Sequence, residues 1–309
     1  MKFNLLQVQT VSGCNGNCIF CPSSYSWMKN HPGKMSDEDY VLVLERIKEV
    51  QPDFDGQFCP YLMNEPTLDD KLIERIELAF KYFPKCNIEV STNAMKLTPK
   101  LAEQLVDIIT KHDKFHKSHI WISHHAINKE TYESIMRRKN YAQTLNNIIE
   151  YLMINDGQVI TILRGSGASA DGTITYFTEE EYHNYWVKIF KENNLNPANV
   201  KVDYFRFHNR AGEVKMRDWK EASEFYRAID KYHPFSCWRF VNGLHVLYNL
   251  NVVVCCMDYS CKYVWGNLRK ESIRKIWNGE KRKDFVDKAT GLKPSDSNFI
   301  CKQCMSVGG

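Results

Sequence analysis

Three cysteines near the start of the chain have the spacing of iron–sulfur ligands. Cys14, Cys18 and Cys21 spell C-x3-C-x2-C within the segment GCNGNCIFCP. Three thiolates so close together in a loop can occupy three corners of an iron–sulfur cube and leave the fourth iron open. A structural zinc site needs four ligands, and His31 is the residue that would have to supply the fourth. The spacing therefore favours a cluster with one open iron over a closed zinc site.

A second group of cysteines lies near the end of the chain. Its members are Cys237, Cys255, Cys256, Cys261, Cys301 and Cys304. Four or more thiolates are enough to ligate an iron–sulfur cluster completely. The same set, with its C-x2-C pair, suits a four-cysteine zinc knuckle equally well, so spacing alone leaves both interpretations open.

A repeated strand–helix pattern must position these loops. Short apolar strands alternate with amphipathic helices, which is typical of a parallel α/β architecture. Six strands are predicted, at 5–10, 57–62, 87–91, 119–123, 159–163 and 200–207. Helix starts are predicted after Ser36, Thr98 and Thr178, which have the side chains and following residues of N-caps. The alternation then stops, and we predict a domain boundary between residues 211 and 212.

Polar residues follow each predicted strand, at the end where parallel barrels carry their reactive groups. The segments are CNGNCIFC, Asn64-Glu65-Pro66, Ser91-Thr92-Asn93, Ser123-His124-His125, Arg164 and His208-Asn209-Arg210. Of the two adjacent histidines one is expected to reach the substrate, and His125 is the catalytic candidate.

Composition excludes several classes of function. The 41 basic and 37 acidic residues are interspersed and leave a formal charge of +4, so nucleic-acid binding is not indicated. No apolar stretch approaches the roughly 18 residues of a membrane span, and no signal-peptide cleavage site is visible. We therefore predict a cytoplasmic protein without a membrane partner, in which the eleven cysteines stay reduced and serve metal binding or catalysis.

The first cysteine loop resembles the hallmark of the radical S-adenosylmethionine (radical SAM) superfamily. That hallmark is C-x3-C-x-aromatic-C after the first strand, and Phe20 is the aromatic residue here. In the family the open iron binds the methionine end of the cofactor, whose cleavage yields a 5'-deoxyadenosyl radical that abstracts hydrogen from carbon. The resemblance implies a TIM-barrel-like partial (β/α)6 barrel over 1–211 and a small α+β iron–sulfur domain over 212–309.

The resemblance also implies cofactor contacts. The segment YLMNEP is similar to the family's Gly-Gly-Glu-Pro, with Met-Asn where two glycines are usual, and Glu65 is then expected to receive the methionine ammonium. Asn93 matches the family's Ser-Thr-Asn after the third strand. Phe20, Ser123 and Arg164 complete the expected cofactor-binding residues.

The C-terminal segment resembles the SPASM and shorter twitch domains, through LHVLYNLNVVVCCMDY, WGNL and SIRKIWNG. Those domains carry auxiliary 4Fe-4S clusters. The cysteine count implies one auxiliary cluster held by Cys237, Cys255, Cys301 and Cys304. Cys256 either replaces Cys255 as a ligand or is buried packing.

Two further expectations concern the same segment. Cys261 is a candidate hydrogen-atom donor to a substrate radical, as in radical epimerases, or else an exposed thiol near the cluster. Leu250 stands where a turn glycine is usual before the cysteine pair. We therefore expect Asn249 or Asn251 to take the left-handed conformation in this hairpin.

The predicted function is hydrogen abstraction from a small polar or carbohydrate-like substrate, giving dehydrogenation or epimerisation. The cofactors are S-adenosylmethionine and two 4Fe-4S clusters, and an electron donor such as flavodoxin or ferredoxin is expected. One alternative is a maturase that modifies a peptide or protein, although the first strand begins almost at Met1 and leaves no room for a leader-binding domain. The alternative from another class is a non-catalytic zinc-binding module.

Overall fold

One sheet of nine strands runs through the part of the chain that the structure describes. A computed structural model describes residues 1–24, 27–168, 173–205, 209–214 and 237–304. The strands are β1 (Leu5–Val8), β2 (Gln57–Cys59), β3 (Asn87–Thr92), β4 (His119–Ser123), β5 (Ile160–Gly165), β6 (Val200–Tyr204), β7 (Gly243–Val246), β8 (Asn251–Val253) and β9 (Val264–Asn267). Their order is β6-β5-β4-β3-β2-β1-β7-β8-β9, parallel from β6 to β7 and antiparallel beyond.

The six strands expected from the sequence are all present, with bounds that differ by a few residues. They form the predicted partial, open barrel of parallel strands. Residues 206–208, which include the predicted end of the sixth strand and His208, lie outside the described residues. The C-terminal strands continue the same sheet, because β7 pairs with β1 in the register Leu5 to Gly243. The domain boundary at 211/212 stays a prediction.

The helices are capped where the sequence indicates. They are α1 (Trp27–Asn30), α2 (Asp37–Lys48), α3 (Leu72–Tyr82), α4 (Pro99–His112), α5 (Lys129–Met136), α6 (Tyr141–Asn155), α7 (Glu179–Glu192), α8 (Trp238–Asn242), α9 (Ile273–Trp277), α10 (Glu280–Ala289) and α11 (Ile300–Gln303). Ser36, Thr98 and Thr178 accept hydrogen bonds from the first turns of α2, α4 and α7, as predicted. Among the described residues, no helix combines the length and apolarity that crossing a bilayer requires.

The strands separate an apolar layer from a polar interior. In β3, Ile88 and Val90 are fully buried under the helices, while the alternate residues Asn87, Glu89 and Ser91 are half-buried. Successive side chains of a strand point to opposite faces, so this period of two places the polar set inside the barrel. The interior is therefore lined with groups that can bind a polar molecule.

The hairpin between β7 and β8 differs from the expectation. Leu250 itself takes the left-handed conformation, with φ of 68°, and neither Asn249 nor Asn251 does. The Leu250 side chain is completely buried, its N–H donates to Leu247 O at 2.8 Å, and its carbonyl accepts from Leu268 N at 3.0 Å. Core packing and these two hydrogen bonds hold a backbone strain that costs about 1–3 kcal/mol. The prediction was wrong because it considered local propensity alone.

Candidate active site

The loop after β1 brings Cys14 and Cys18 to one side of Gly16. A Cβ atom on Gly16 would stand 3.4 Å from Cys14 Sγ and 3.6 Å from Cys18 Sγ. Cys21 Sγ lies 3.3 Å from Ser23 Oγ and 4.0 Å from the Tyr259 hydroxyl. The glycine leaves open the space next to the two sulfurs, which any group bound between them needs.

The chemistry of these thiols fits a cluster. Burial raises the pKa of Cys14 to about 12 and that of Cys18 well above its usual range, and the neighbouring thiols add to the shift of Cys18. Two N–H donors nevertheless point at Cys14 Sγ, Gly16 N at 3.2 Å and Asn93 Nδ2 at 3.6 Å. Such donors stabilise cluster thiolates. Among the residues with described positions, no three His, Cys, Asp or Glu side chains converge on a single-ion site.

Glu65 is held rigidly beside this loop. Its carboxylate is 3% exposed and accepts from Thr92 Oγ1 at 2.6 Å, Asn93 N at 2.8 Å and Thr67 Oγ1 at 2.7 Å. Its own N–H donates to Gly13 O at 3.0 Å. Burial raises the pKa of Glu65, and the three donors work against that shift. The threonine donors were missed in the sequence because a hydroxyl near a motif carries no signal of its own.

Asn93 links Glu65 to the cysteine loop. Its Nδ2 donates to Asn15 Oδ1 at 2.7 Å, and its Oδ1 accepts from Met95 N at 3.0 Å. Arg138, on the segment after α5, donates through Nε to Asn15 O at 2.6 Å. The structure therefore brings Glu65, Asn93 and Cys14 together, as the motif order implied, whereas their roles as cofactor ligands stay predictions.

Ser123 and Arg164 are register partners at the ends of β4 and β5. The Arg164 guanidinium packs 4.1 Å from the centre of the Phe205 ring and pairs through Nε with Asp203 Oδ2 at 3.0 Å. Burial lowers the pKa of Arg164, and the Asp203 carboxylate opposes that shift. The arginine is thus fixed at the rim where the sequence placed it.

His125 is the inward member of the histidine pair. Its ring meets Phe20 edge-on at 4.7 Å between ring centres, and it is 4% exposed. Burial lowers the pKa of His125 well below the usual range, and the nearby His124 and Arg164 lower it further. The imidazole is therefore neutral. His124 instead packs among aromatic rings that include Trp186.

A buried network in the barrel interior was not found from the sequence. Glu89 accepts hydrogen bonds from the Tyr61 hydroxyl and from Gln57 Nε2. His119 Nε2 lies 2.8 Å from Glu89 Oε2, and Cys59 Sγ lies 3.8 Å from Glu89 Oε1. The available signal was a carboxylate among the alternate polar positions of β3.

The C-terminal thiols form a second group at the barrel end. Burial raises the pKa of Cys255, and the thiols of Cys256, Cys301 and Cys304 raise it further. The pKa of Cys301 is raised in the same way by burial, by Cys304 and by Cys237. The four cysteines predicted as auxiliary ligands therefore lie close enough to interact, which fits a shared cluster.

The two additional cysteines have different surroundings. Cys256 interacts electrostatically with Arg239 and Arg210, and also with Tyr61. Cys261 has a φ of 48°, donates through its N–H to Asp258 O at 3.0 Å and packs in a small apolar cluster together with Cys21 and Cys256. Burial raises the pKa of Cys261 to about 12, so it is a thiol. Its proposed role as a hydrogen donor stays a prediction.

The two groups of cysteines face one interior. The half-buried Arg210 interacts electrostatically with Tyr259, Cys21 and Cys256, which raise its pKa against the effect of burial. Cys21 belongs to the first group and Cys256 adjoins the second. Arg164 in turn interacts with Tyr61 and Glu89. The two groups of cysteines therefore approach each other at Cys21 and Cys256, beside the polar side chains of the interior.

Comparison with known sequences agrees with this geometry. Residues 8–165 match the Radical SAM superfamily, and residues 237–305 match SPASM, an iron-sulfur cluster-binding domain. A curated relative from Niallia circulans, an S-adenosyl-L-methionine-dependent 2-deoxy-scyllo-inosamine dehydrogenase, is 28% identical over 116 residues. That alignment covers 36% of this chain and 45% of the relative, so the chain matches less than half of that enzyme.

Solved structures share the fold over nearly the whole chain. The crystal structure of BtrN in complex with AdoMet and 2-DOIA has a TM-score of 0.60 at 20% identity and covers 99% of this chain and 95% of BtrN. Streptococcus suis SuiB bound to precursor peptide SuiA has a TM-score of 0.62 at 11% identity. This match covers 100% of this chain and 72% of SuiB.

The first domain match covers half of the chain and includes the three cysteines, Glu65 and Arg164. Its members carry a 4Fe-4S cluster and use S-adenosylmethionine, and the second match adds auxiliary iron–sulfur binding. The alternative of a non-catalytic zinc module is therefore wrong. This chain belongs to the radical SAM superfamily and is an enzyme with a C-terminal SPASM-type region.

Proposed function

We propose that this enzyme oxidises a secondary alcohol of a small polar substrate, of the amino-cyclitol or sugar class, to a ketone. The name of the curated relative, a dehydrogenase of an inosamine, supports this substrate class. The observation that carries the proposal is the polar interior of the barrel, with Glu89, Tyr61 and Arg164 on its walls. Hydroxyl and amino groups of a small substrate find both donors and acceptors there.

We assign roles in this reaction first to the cysteine loop and to the residues that hold the cofactor next to it. Cys14, Cys18 and Cys21 hold the cluster that cleaves S-adenosylmethionine, and that cofactor supplies the radical which abstracts a hydrogen atom. Glu65 receives the methionine ammonium through a carboxylate that its three donors keep in place. Asn93 fixes the cysteine loop against Glu65.

Other residues orient the cofactor and the second cluster. Phe20 and Ser123 contact the cofactor, and Arg164 does so from the end of β5. The auxiliary cluster is held by four cysteines: Cys237, Cys255, Cys301 and Cys304. An external protein of the flavodoxin or ferredoxin kind supplies the electron that starts each turnover.

Mass spectrometry tests the proposal. Anaerobically reconstituted enzyme, S-adenosylmethionine and a reductant are incubated with a panel of amino-cyclitols and sugars. We expect 5'-deoxyadenosine together with a product lighter by two hydrogens in about equal amounts, because one radical is consumed for each oxidation. A product of unchanged mass carrying one solvent deuterium would instead mean epimerisation, with Cys261 as the hydrogen donor to test.

The matched control removes the first cluster only. A variant with Cys14→Ala, Cys18→Ala and Cys21→Ala should form no 5'-deoxyadenosine, although the C-terminal cysteines still bind iron. Failure of every small polar substrate, combined with modification of a peptide, would contradict the proposed substrate class and support a maturase.

A further inference from the structure

Glu89 is a carboxylate in the barrel interior that neither group of cysteines uses. It lies within β3, three residues before the strand ends at Thr92, so it is deeper in the barrel than Asn93. Its side chain is only 13% exposed. A buried carboxylate without a structural cation is expensive to keep, so its surroundings must supply hydrogen bonds.

The donors around Glu89 come from two neighbouring strands. Gln57 and Tyr61 approach from β2 and the segment that follows it, and His119 approaches from the first position of β4. Burial and the nearby Cys59 and Glu89 raise the pKa of Tyr61 well above its usual range. The phenol therefore stays protonated and donates to Glu89, while its own oxygen remains an acceptor toward the interior.

The titratable and charged groups that face Glu89 come from β2, β4, β5 and the C-terminal segment. Cys59 and Tyr61 face it from the β2 side and His119 from β4, and Arg164 interacts with it from β5. Cys256, from the C-terminal segment, faces Tyr61. The strongest cation among these groups, Arg164, is engaged by Asp203 at 3.0 Å.

Asp203 is the other interior carboxylate of this region, and it is paired with a permanent cation, the Arg164 guanidinium. Protonation of Asp203 would break its ion pair with the Arg164 guanidinium. Glu89 instead faces the neutral Tyr61 and Gln57, and its ion-pair partner His119 is a cation only when protonated. The difference follows from the partners, because an adjacent opposite charge stabilises the ionised carboxylate.

A route away from Glu89 leads to the opposite end of the barrel. His119 Nδ1 lies 3.0 Å from Lys117 O, and the His119 side chain is 16% exposed. Burial works against the imidazolium, but the hydrogen bonds to Glu89 and to the Lys117 carbonyl outweigh it and raise the pKa of His119. His119 can therefore release a proton at the amino ends of the strands, and its Nε2 can then take up the proton that Glu89 has accepted.

We infer that Glu89, reached through the Tyr61 hydroxyl, is the acceptor of the proton that the substrate alcohol releases on oxidation. The inference rests on the proposed dehydrogenation. The substrate C–H bond breaks as the hydrogen atom passes to the 5'-deoxyadenosyl radical. The O–H bond then breaks, and its proton moves to Tyr61 while the Tyr61 proton moves to Glu89. An auxiliary 4Fe-4S cluster, when bound, would take up the one electron released as the C=O bond forms.

The test compares Glu89→Gln with Glu89→Asp and Asp203→Asn. Loss of a positioned acid–base group costs about 100-fold or more in rate, so ketone formation by Glu89→Gln should fall by about that factor. The ratio of 5'-deoxyadenosine to ketone should rise well above one, because radicals form but are not oxidised. Glu89→Asp should recover part of the ketone rate, and substrate affinity measured by calorimetry should stay within about threefold of the wild type.

A second readout does not depend on turnover. The pKa of His119, followed by NMR, should fall in Glu89→Gln, because the hydrogen-bonded carboxylate is lost. An unchanged His119 pKa would overturn the inference, as would coupled, near wild-type oxidation by Glu89→Gln. If Asp203→Asn raised the ratio of 5'-deoxyadenosine to ketone and Glu89→Gln did not, Asp203 would be the proton acceptor and the inference would be overturned. A wild-type enzyme that never yields an oxidised product would refute the proposed function itself, and with it the role of Glu89.

Discussion

The substitution Thr92→Val tests the clamp on Glu65, by which we mean the hydrogen bonds that its carboxylate accepts from Thr92, Asn93 and Thr67. Thr92 Oγ1 donates to Glu65 Oε1 at 2.6 Å and accepts from Ala94 N at 3.0 Å, and the residue is 1% exposed. Valine keeps the shape of the side chain and removes both hydrogen bonds. The change therefore isolates the contribution of one hydroxyl group.

The expected loss of stability depends on the ionisation of Glu65. A hydrogen bond to a charged group contributes about 1.5–3 kcal/mol, and one between neutral groups about 0.5–1.5 kcal/mol. Thr92→Val should therefore cost about 1.5–3 kcal/mol where Glu65 is ionised, and less where it is protonated. For a chain of this size that corresponds to a fall in Tm of about 3–6 °C.

The sign of the pH dependence follows from the pKa of Glu65. Burial raises this pKa in the folded protein, so folding favours the protonated carboxyl. The contribution of Glu65 to stability therefore falls as pH rises from its unfolded pKa through its folded pKa. Thr92→Val removes a donor that stabilises the ionised form, raises the folded pKa further and makes this fall larger.

Differential scanning fluorimetry under anaerobic conditions at pH 5 and pH 8 measures the effect. Thr92→Ser is the matched control, because it keeps the hydroxyl and should stay close to the wild type. The Tm deficit of Thr92→Val should be larger at pH 8 than at pH 5. Equal Tm values for the Val and Ser variants, or a larger deficit at pH 5, would refute the description of the clamp.

Three further predictions concern a buried ion pair and the two groups of cysteines. Asp69→Asn leaves the 4%-exposed Arg75 without the carboxylate that lies 3.2 Å from its Nε. The free energy of unfolding, measured in urea, should therefore fall by about 3–5 kcal/mol. An equal fall in the double variant Asp69→Asn with Arg75→Met would argue against the ion pair. Gly16→Ala places a methyl group 3.4 Å from Cys14 Sγ and should lower the iron content from about eight to about four atoms per chain, since each cube holds four; full iron loading would contradict it. Cys255→Ser should lose about four iron atoms and Cys256→Ser none, and the reverse result would exchange their roles.

Local patterns in the sequence predicted most of the elements. The C-x3-C-x2-C spacing, the caps at Ser36 and Thr178 and the apolar strands depend on residues within a few positions of each other. Such features need no knowledge of the fold. For that reason the six strands were predicted with only small errors in their bounds, and the starts of α2, α4 and α7 were predicted correctly.

Features that depend on distant contacts were not predictable. Glu89, Tyr61 and His119 meet only because β2, β3 and β4 are neighbours in a specific register. Leu250 adopts a left-handed backbone because its side chain fills the core, which a turn propensity does not reveal. The clamp on Glu65 likewise needs Thr92 from a strand about 27 residues away.

The parallel pairing of β1 with β7 has a consequence for synthesis of the protein on the ribosome. Leu5 pairs with Gly243, about 240 residues later in the chain. At 5–20 residues per second, β7 emerges about 10–50 seconds after β1. Throughout that interval one edge of β1 presents unpaired backbone groups, which are a template for aggregation. This edge of β1 is therefore open to pairing with other chains until the C-terminal strands arrive.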